Sequence, residues 1–586
     1  MRVLFFAPHA AIWVHAFPEA LVAEALQQQG HDVVYIGCGR LFERFCVAMS
    51  AHAVGFHASS EERGKVCDQC VRNDHLLRGE FDFKGRTLRE LMRPEDLEIV
   101  ERELANPDRE ALLALERDGV ALGRVALYQL MIRKKKLDLN FDDEDWAEYL
   151  MDLRHTLYSW RASLRLLDAY RPDRVIVYNG LYPVNRAACL LAEARNIPAY
   201  FIHAGGNLAN RLQTLMLARG NTFTYYPKLL RQWLRFANVP CTPSVLSAVT
   251  DHYVALFNAQ SVFVYSAKRS RVAFDSRSYF GITSQQKILV AIMSSYDEEV
   301  AAELAGARVY SKPKTFATQT DWIAALIDFA EEHPEVFLII RVHPREFSNR
   351  RDDVTSQHAG LLREMLQNLP RNAAVNWPSD GVSLYDLIDQ VDVFLNAWSS
   401  VGKEMALLGF PVVIYSDELP FYPADMNYFG DTRNAYFDAV LRALADGWRA
   451  ENIRKAYRWA AFEFVHSTID ISAGYPRREN ARRSLVTRAR DRVRRALNRD
   501  FQQHQDMKVR ARFLPSAGRI AEALVAADDT IMDRIAPESL SAATVAEETA
   551  GLRRELARLA RALFPTRERR SQSRLYARLT DAALFN

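Results

Sequence analysis

Val391-Asp-Val-Phe-Leu-Asn-Ala-Trp-Ser-Ser-Val-Gly-Lys-Glu-Met-Ala-Leu-Leu-Gly-Phe-Pro-Val-Val-Ile-Tyr-Ser416 decides how this chain reads. Val391 to Ala397 is an apolar run of strand length. Trp398, Ser399 and Ser400 break it. Val401 to Leu408 continues with helical spacing and good helix formers. Gly409 stops that helix, and Pro411 opens a second apolar run, Val412 to Tyr415. Strand, short loop, helix and strand make half of a doubly wound α/β unit, whose loop at the carboxyl end of the strand faces the ligand crevice. The first-turn amides of the helix suit phosphate, and the hydroxyls of Ser399 and Ser400 add donors. The competing expectation for Ser400 is a plain N-cap.

Two further strands end the same way. Lys287-Ile-Leu-Val-Ala-Ile-Met runs into Ser294-Ser295-Tyr296-Asp297-Glu298, and Val336-Phe-Leu-Ile-Ile-Arg-Val runs into His343-Pro344-Arg345-Glu346. In a parallel sheet these three polar tips meet at one rim.

The 586 residues suffice for two large domains and an appendage. A net charge of +3 gives no bulk case for nucleic acid. No uncharged apolar stretch is long enough for a transmembrane helix. The opening Met1-Arg-Val-Leu-Phe-Phe-Ala-Pro-His9 reads as a strand running into a loop, without the features of a signal peptide. The expected location is therefore cytoplasmic. Six cysteines in so long a chain do not make a disulfide framework. Cys67 and Cys70 form one C-x-x-C, which reads as a plain pair ahead of a zinc or redox site.

Along the chain, Arg2 to Ala7 is a strand, and its exit loop carries His9, Trp13 and His15. Phe17 to Gln29 is a helix, and His31 to Gly37 a second strand. No G-x-G-x-x-G follows the first strand, which argues against a dinucleotide fingerprint. Residues 61–146 read as a charged, mostly helical insertion. The α/β rhythm resumes with helix Asp145 to Tyr170, strand Arg174 to Tyr178, helix Asn185 to Arg195 and strand Pro198 to His203, which ends in Ala204-Gly-Gly-Asn207. The expected division is a first Rossmann-like domain, 1–258, facing the acceptor, and a second, 259–474, binding the donor. An arginine-rich helical tail, 475–586, completes the chain. It is either a solvated appendage or a basic surface for peripheral contact with the inner face of a membrane.

These segments resemble the GT-B glycosyltransferases of bacterial capsule and surface-polysaccharide synthesis, among them the Kdo transferases and, more distantly, bacterial sialyltransferases. The resemblance is carried by Asn179-Gly180 and Arg186 in the first half. In the second half it is carried by Ser294 to Glu298, His343-Pro344, Leu384 to Asp392 and Ser399 to Glu404. It implies two Rossmann-like domains around a cleft, with a nucleotide-activated sugar held by the second. A CMP-sugar such as CMP-Kdo is favoured and UDP- or GDP-sugars are alternatives, with a growing glycan or glycolipid as acceptor. No cofactor beyond the nucleotide-sugar substrate is expected. No metal is expected either, because no D-x-D lies in a suitable loop.

The chemistry fits the residues. Charge grows on the leaving phosphate, so preorganised donors there lower the barrier. Candidate donor-binding residues are Ser294, Ser295, His343, Pro344, Arg345, Ser399, Ser400, Gly402 and Glu404. The acceptor hydroxyl needs a base or, with retention, a nucleophile is required. His15, His203, Asp297 and Glu298 are the candidates by position. Two other classes compete: a nucleotide-sugar 2-epimerase on the same fold, and a non-catalytic scaffold of a polysaccharide assembly complex.

Overall fold

The computed structural model describes residues 1–258, 267, 269, 274–349, 353–474, 500–509 and 513–585. The arginine-rich stretch 475–499, on which the membrane-contact reading depends, lies outside them. Two six-stranded sheets form the framework.

The first sheet holds β1 (Arg2–Phe6), β2 (Asp32–Ile36), β3 (Arg174–Tyr178), β4 (Ala199–Ala204) and β5 (Thr214–Arg219). Strands β2-β1-β3-β4 are parallel, with Phe6 opposite both Ile36 and Val177. Strand β5 runs antiparallel to β4. The Gly205-Gly206 turn explains this hairpin. A side chain at Gly205 would sit 2.1 Å from Thr214 Oγ1, so only glycine lets β5 fold back so closely. The sixth strand comes from far along the chain: β12 (Ile469–Asp470) pairs antiparallel with β5.

The second sheet is parallel throughout. It holds β6 (Lys287–Ile292), β7 (Val336–Arg341), β8 (Ala373–Asn376), β9 (Val393–Asn396), β10 (Val412–Ile414) and β11 (Tyr428–Phe429). Their order is β8-β7-β6-β9-β10-β11. Numbered within the domain this is 3-2-1-4-5-6, the Rossmann order, whose crevice opens where β6 and β9 part to opposite sides. Its central strands are buried along nearly their whole length, as expected for a parallel sheet covered by helices on both faces. The first sheet has its own switch point between β1 and β3. Two doubly wound Rossmann-like units of GT-B type are thus present, as expected from the sequence.

The two units meet through the helical insertion. Its helix Leu122–Lys134 packs on the helix Tyr296–Leu304 of the second unit. Arg124 donates to the carbonyls of Leu304 and Glu303, and Lys135 Nζ to those of Arg345 and Val354. The described part of the C-terminal appendage is helical and is stitched into both units. Leu552, Leu556, Leu559 and Leu563 of helix Val545–Leu563 are fully buried, largely against helix Pro243–Phe257. Buried Glu548 pairs with Arg454 and Arg458 at 2.7–2.8 Å. Arg569 reaches Asp386 of the second unit at 3.1 Å, and Trp13 of the first donates to Asp506 at 2.8 Å. Among the described residues no helix is long and apolar enough to cross a membrane.

Candidate functional site

The tips of β6, β7 and β9 lie side by side, because Ile292 sits opposite Arg341 on one flank and Asn396 on the other. Two of the three expected tips are locked together: Trp398 N–H donates to Ser294 Oγ at 3.1 Å. A cavity of about 140 Å3 opens there. Among its lining residues are Arg341, His343, Pro344, Tyr385, Ser399, Ser400 and Glu404.

Each polar group in this cavity has a defined role in the hydrogen-bond pattern. The Arg345 N–H donates to His343 Nδ1 at 3.3 Å, so the proton of the neutral ring belongs on Nε2. Burial lowers the His343 pKa to about 4, which keeps the ring a neutral donor at pH 7. Ser399 Oγ accepts the Val401 N–H at 3.3 Å, which leaves its O–H to be donated. Ser400 does not cap the helix with its side chain; its hydroxyl proton goes to Glu404 Oε1 at 3.0 Å. Tyr385 donates to the other oxygen of Glu404 at 2.8 Å. Burial raises the Glu404 pKa, and these two donors pull it back.

The expectation that helix amides would receive the phosphate is modified. The helix is short, Val401–Leu407, and the Val401 and Gly402 amides are already taken by Ser399 Oγ and the Ser399 carbonyl. Arg341, which sequence reasoning passed over, brings a positive charge to the wall of this cavity. Its guanidinium donates to Asn376 Oδ1 and, at 3.1 Å, to the Val382 carbonyl. Burial lowers its pKa to about 10. Its position two residues before His343, at the end of a buried strand, was the available signal.

The other expected donor residues serve the frame of the site. Ser294 is buried and exchanges hydrogen bonds with Gln319 through its backbone. Ser295 Oγ donates to Glu298 at 2.5 Å. Arg345 is buried against Asp297 at 2.8 Å and also reaches the Ile132 carbonyl of the insertion. Gly402 is needed for space, since a Cβ there would lie 1.8 Å from Tyr422 Oη.

The candidate bases fall into two groups. His15 and His203 belong to the switch point of the first sheet, both half-buried beside Tyr178, whose ring stacks on His15 at 4.1 Å and lies 5.8 Å from His203. Burial lowers His15 to about 3, helped by His203 and His9, and lowers His203 to about 4. Beneath them His9 Nε2, His15 Nδ1, Glu19 Oε1 and Asn185 Oδ1 have no hydrogen-bond partner among the described residues. All four residues line a cavity of about 10 Å3, near the size one water needs. Glu19 was not anticipated; its place four residues after His15 on one helix was the signal. Asp297 and Glu298 open the helix Tyr296–Leu304 on the second unit. Burial raises the Asp297 pKa, against the pull of Arg345, while the Glu298 side chain is 47% exposed. Tyr182 joins the two groups: its ring lies 5.4 Å from His9, and Tyr128 beside it feels both Tyr182 and Glu298.

Elsewhere, among the described residues, His57, Glu144 and Glu148 are grouped closely enough to hold a metal ion. Lys134 and Arg133 already neutralise those carboxylates at 2.6–3.0 Å, so this is a salt-bridge network.

No known sequence family and no curated protein matches the chain. Solved structures resemble it at low identity. "Spinosyn Rhamnosyltransferase SpnG" is 14% identical, with 79% of this chain and 96% of that one covered and a TM-score of 0.23. A UDP-GlcNAc 2-epimerase from Neisseria meningitidis bound to UDP-GlcNAc is 12% identical, with 80% and 97% covered and a TM-score of 0.26. Thermosulfurimonas dismutans KpsC, a beta Kdo 2,4 transferase, is 17% identical, with 49% and 78% covered and a TM-score of 0.31. At these values the likeness is one of architecture, and the fold of this chain stands on its own strand order and register.

Proposed function

We infer that this chain is a glycosyltransferase that takes a nucleotide-activated sugar in the cavity at the tips of β6, β7 and β9. The observation that supports this most directly is the donor set around that cavity: the Arg341 guanidinium, the neutral His343 ring with its proton on Nε2, and the Ser399 hydroxyl. Such a set meets a phosphate oxygen whose charge grows as the glycosidic bond breaks. In this reading Arg341 supplies the charge that a metal ion supplies elsewhere, and no cofactor beyond the nucleotide-sugar takes part. The acceptor, a bacterial surface glycan or glycolipid, enters from the first unit. His15 and His203 are the imidazole candidates for the base there: both are held neutral and offer a ring nitrogen to the acceptor hydroxyl, while burial makes each a weaker base than a free imidazole. Glu298 is the carboxylate alternative, since Arg345 closes off Asp297. CMP-Kdo is the favoured donor.

A thermal-shift series with CMP, UDP, GDP and their sugar conjugates tests this. A nucleotide at about 100 times its Kd adds about 2.7 kcal/mol of stability. The expected result is a rise in Tm with one base and its sugar conjugate, lost in Arg341→Met. No shift with any nucleotide would sink the proposal. An epimerised sugar formed without acceptor would replace it with an epimerase.

A further inference from the structure

A second opening lies between the two units and shares no residue with the donor cavity. It is a groove of about 670 Å3 between the helices Pro183–Ala194 and Thr222–Phe236 of the first unit, roofed by Gly306 to Ser311 of the second. That volume suits a ligand of several sugar rings or a similar small molecule.

Two arginines in its wall are incompletely paired. Arg186 and Arg308 are each 7% exposed. Arg186 Nη2 donates to the Gly306 carbonyl at 2.6 Å, while its Nε–H has no hydrogen-bond partner among the described residues. The titratable groups acting on Arg186 are Cys189, Tyr128 and Arg124, none of them a carboxylate. Arg308 faces Glu299 at 3.2 Å and donates to the Glu418 carbonyl at 2.8 Å, yet among the described residues its Nη1 also lacks a hydrogen-bond partner. Glu299 neutralises Arg308, whereas Arg186 meets no carboxylate among the described residues, and a buried guanidinium with no counter-ion is strongly unfavourable unless an anion arrives. Beside the two arginines stand the rings of Phe223 and Tyr310 and the carboxylates Glu193, Asp417 and Glu418. Aromatic faces cover the apolar sides of sugar rings, and carboxylates accept hydrogen bonds from hydroxyls.

We propose that this groove binds an acidic oligosaccharide, with a sugar carboxylate on Arg186 and Arg308 and its hydroxyls on the carboxylates of the walls. Because both units contribute, the bound glycan bridges them. The proposal is independent of the donor reading, which concerns a different cavity.

The test is calorimetric titration of the full chain with a short oligogalacturonate, a maltooligosaccharide of equal length, and inorganic phosphate. The acidic chain is expected to bind at least roughly 10-fold more tightly than the other two, since hydrogen bonds to charged groups are the strong ones. Arg186→Met is expected to weaken it roughly 10- to 150-fold. Its Tm should stay level or rise, because an unpaired buried charge has been removed. Leu230→Trp fills the groove from the facing helix Thr222–Phe236, leaves both arginines in place, and is expected to abolish binding as well. Equal affinity for acidic and neutral chains overturns the proposal. So does phosphate binding as tightly as the glycan, or full affinity in either variant. A lowered Tm with unchanged affinity makes Arg186 a tether between the units and overturns it too. Nucleotide-induced Tm shifts recorded on the same preparations report separately on the donor cavity.

Discussion

Ser400 gives its hydroxyl proton to Glu404 Oε1 at 3.0 Å, one helical turn away. The proton that Ser400 would offer to a phosphate is therefore already committed, whereas that of Ser399 is not. Ser399→Ala is expected to lower kcat more than Ser400→Ala. Glu404→Gln should release the Ser400 hydroxyl and partly restore turnover in Ser399→Ala. Turnover and Tm measured on the four variants, including the Ser399/Glu404 pair, check this. A larger effect of Ser400→Ala would reverse the assignment.

His343→Ala is expected to reduce kcat on the order of 100-fold, typical of one lost preorganised donor. Nucleotide affinity should change less, because the contact strengthens as the bond breaks. Arg341→Met should weaken both, since its charge meets the ground-state phosphate as well. Single-turnover rates and nucleotide titrations separate the two patterns. Unchanged kcat in His343→Ala would remove it from the mechanism.

Gly402→Ala should destabilise the fold by about 1–3 kcal/mol, the usual range for overpacking. The added methyl would meet Tyr422 Oη and Asn396 Nδ2. Tyr422→Phe in the same chain should recover part of the loss. Denaturant midpoints give the answer. A neutral Gly402→Ala would mean that the strand tip yields more easily than its burial implies.

Stability should fall as pH drops from about 6.5 to about 4. His9, His203 and His343 have pKa values held down to about 4 by burial, and His15 and His155 to about 3. In that window the unfolded chain binds protons at these positions and the folded chain does not, so acid favours unfolding. Each such group contributes a slope of at most about 1.4 kcal/mol per pH unit. Denaturation midpoints across that range test it. Midpoints independent of pH there would show that the histidines are accessible to solvent.

The period of the apolar runs announced most of the second sheet. Runs such as Val336 to Arg341 are buried on both faces, so composition alone marks them as parallel strands. Strand β12 was not legible. It is two residues long and exists because β5 presents an edge far back in the chain. The rim of Ser294, His343 and Trp398 could be read because each tip follows a strand directly. Arg341, Tyr385 and Glu19 were not singled out, although each had a positional signal. A strand-end arginine, a helix tyrosine and a helix glutamate look like ordinary residues until packing removes their solvent. Ser400 shows the same limit from the other side: serine before a helix announces a cap, and a carboxylate one turn later took its proton instead.

The hydrogen bond from Trp13 to Asp506 spans 493 residues of sequence. At about 5–20 residues per second, the ribosome delivers the second partner roughly 25 to 100 s after the first. The helix that begins at Trp13 must wait that long for its cover, and β5 waits roughly 13 to 51 s for β12, whose Ile469 pairs with Leu215. The first unit thus leaves the exit tunnel as a five-stranded sheet with β5 as an open edge. Such an edge invites pairing with another chain. Synthesis of this protein should therefore depend on holdase chaperones more than its well-buried second sheet alone would suggest, and slowing elongation late in the message should lower the yield of folded chain.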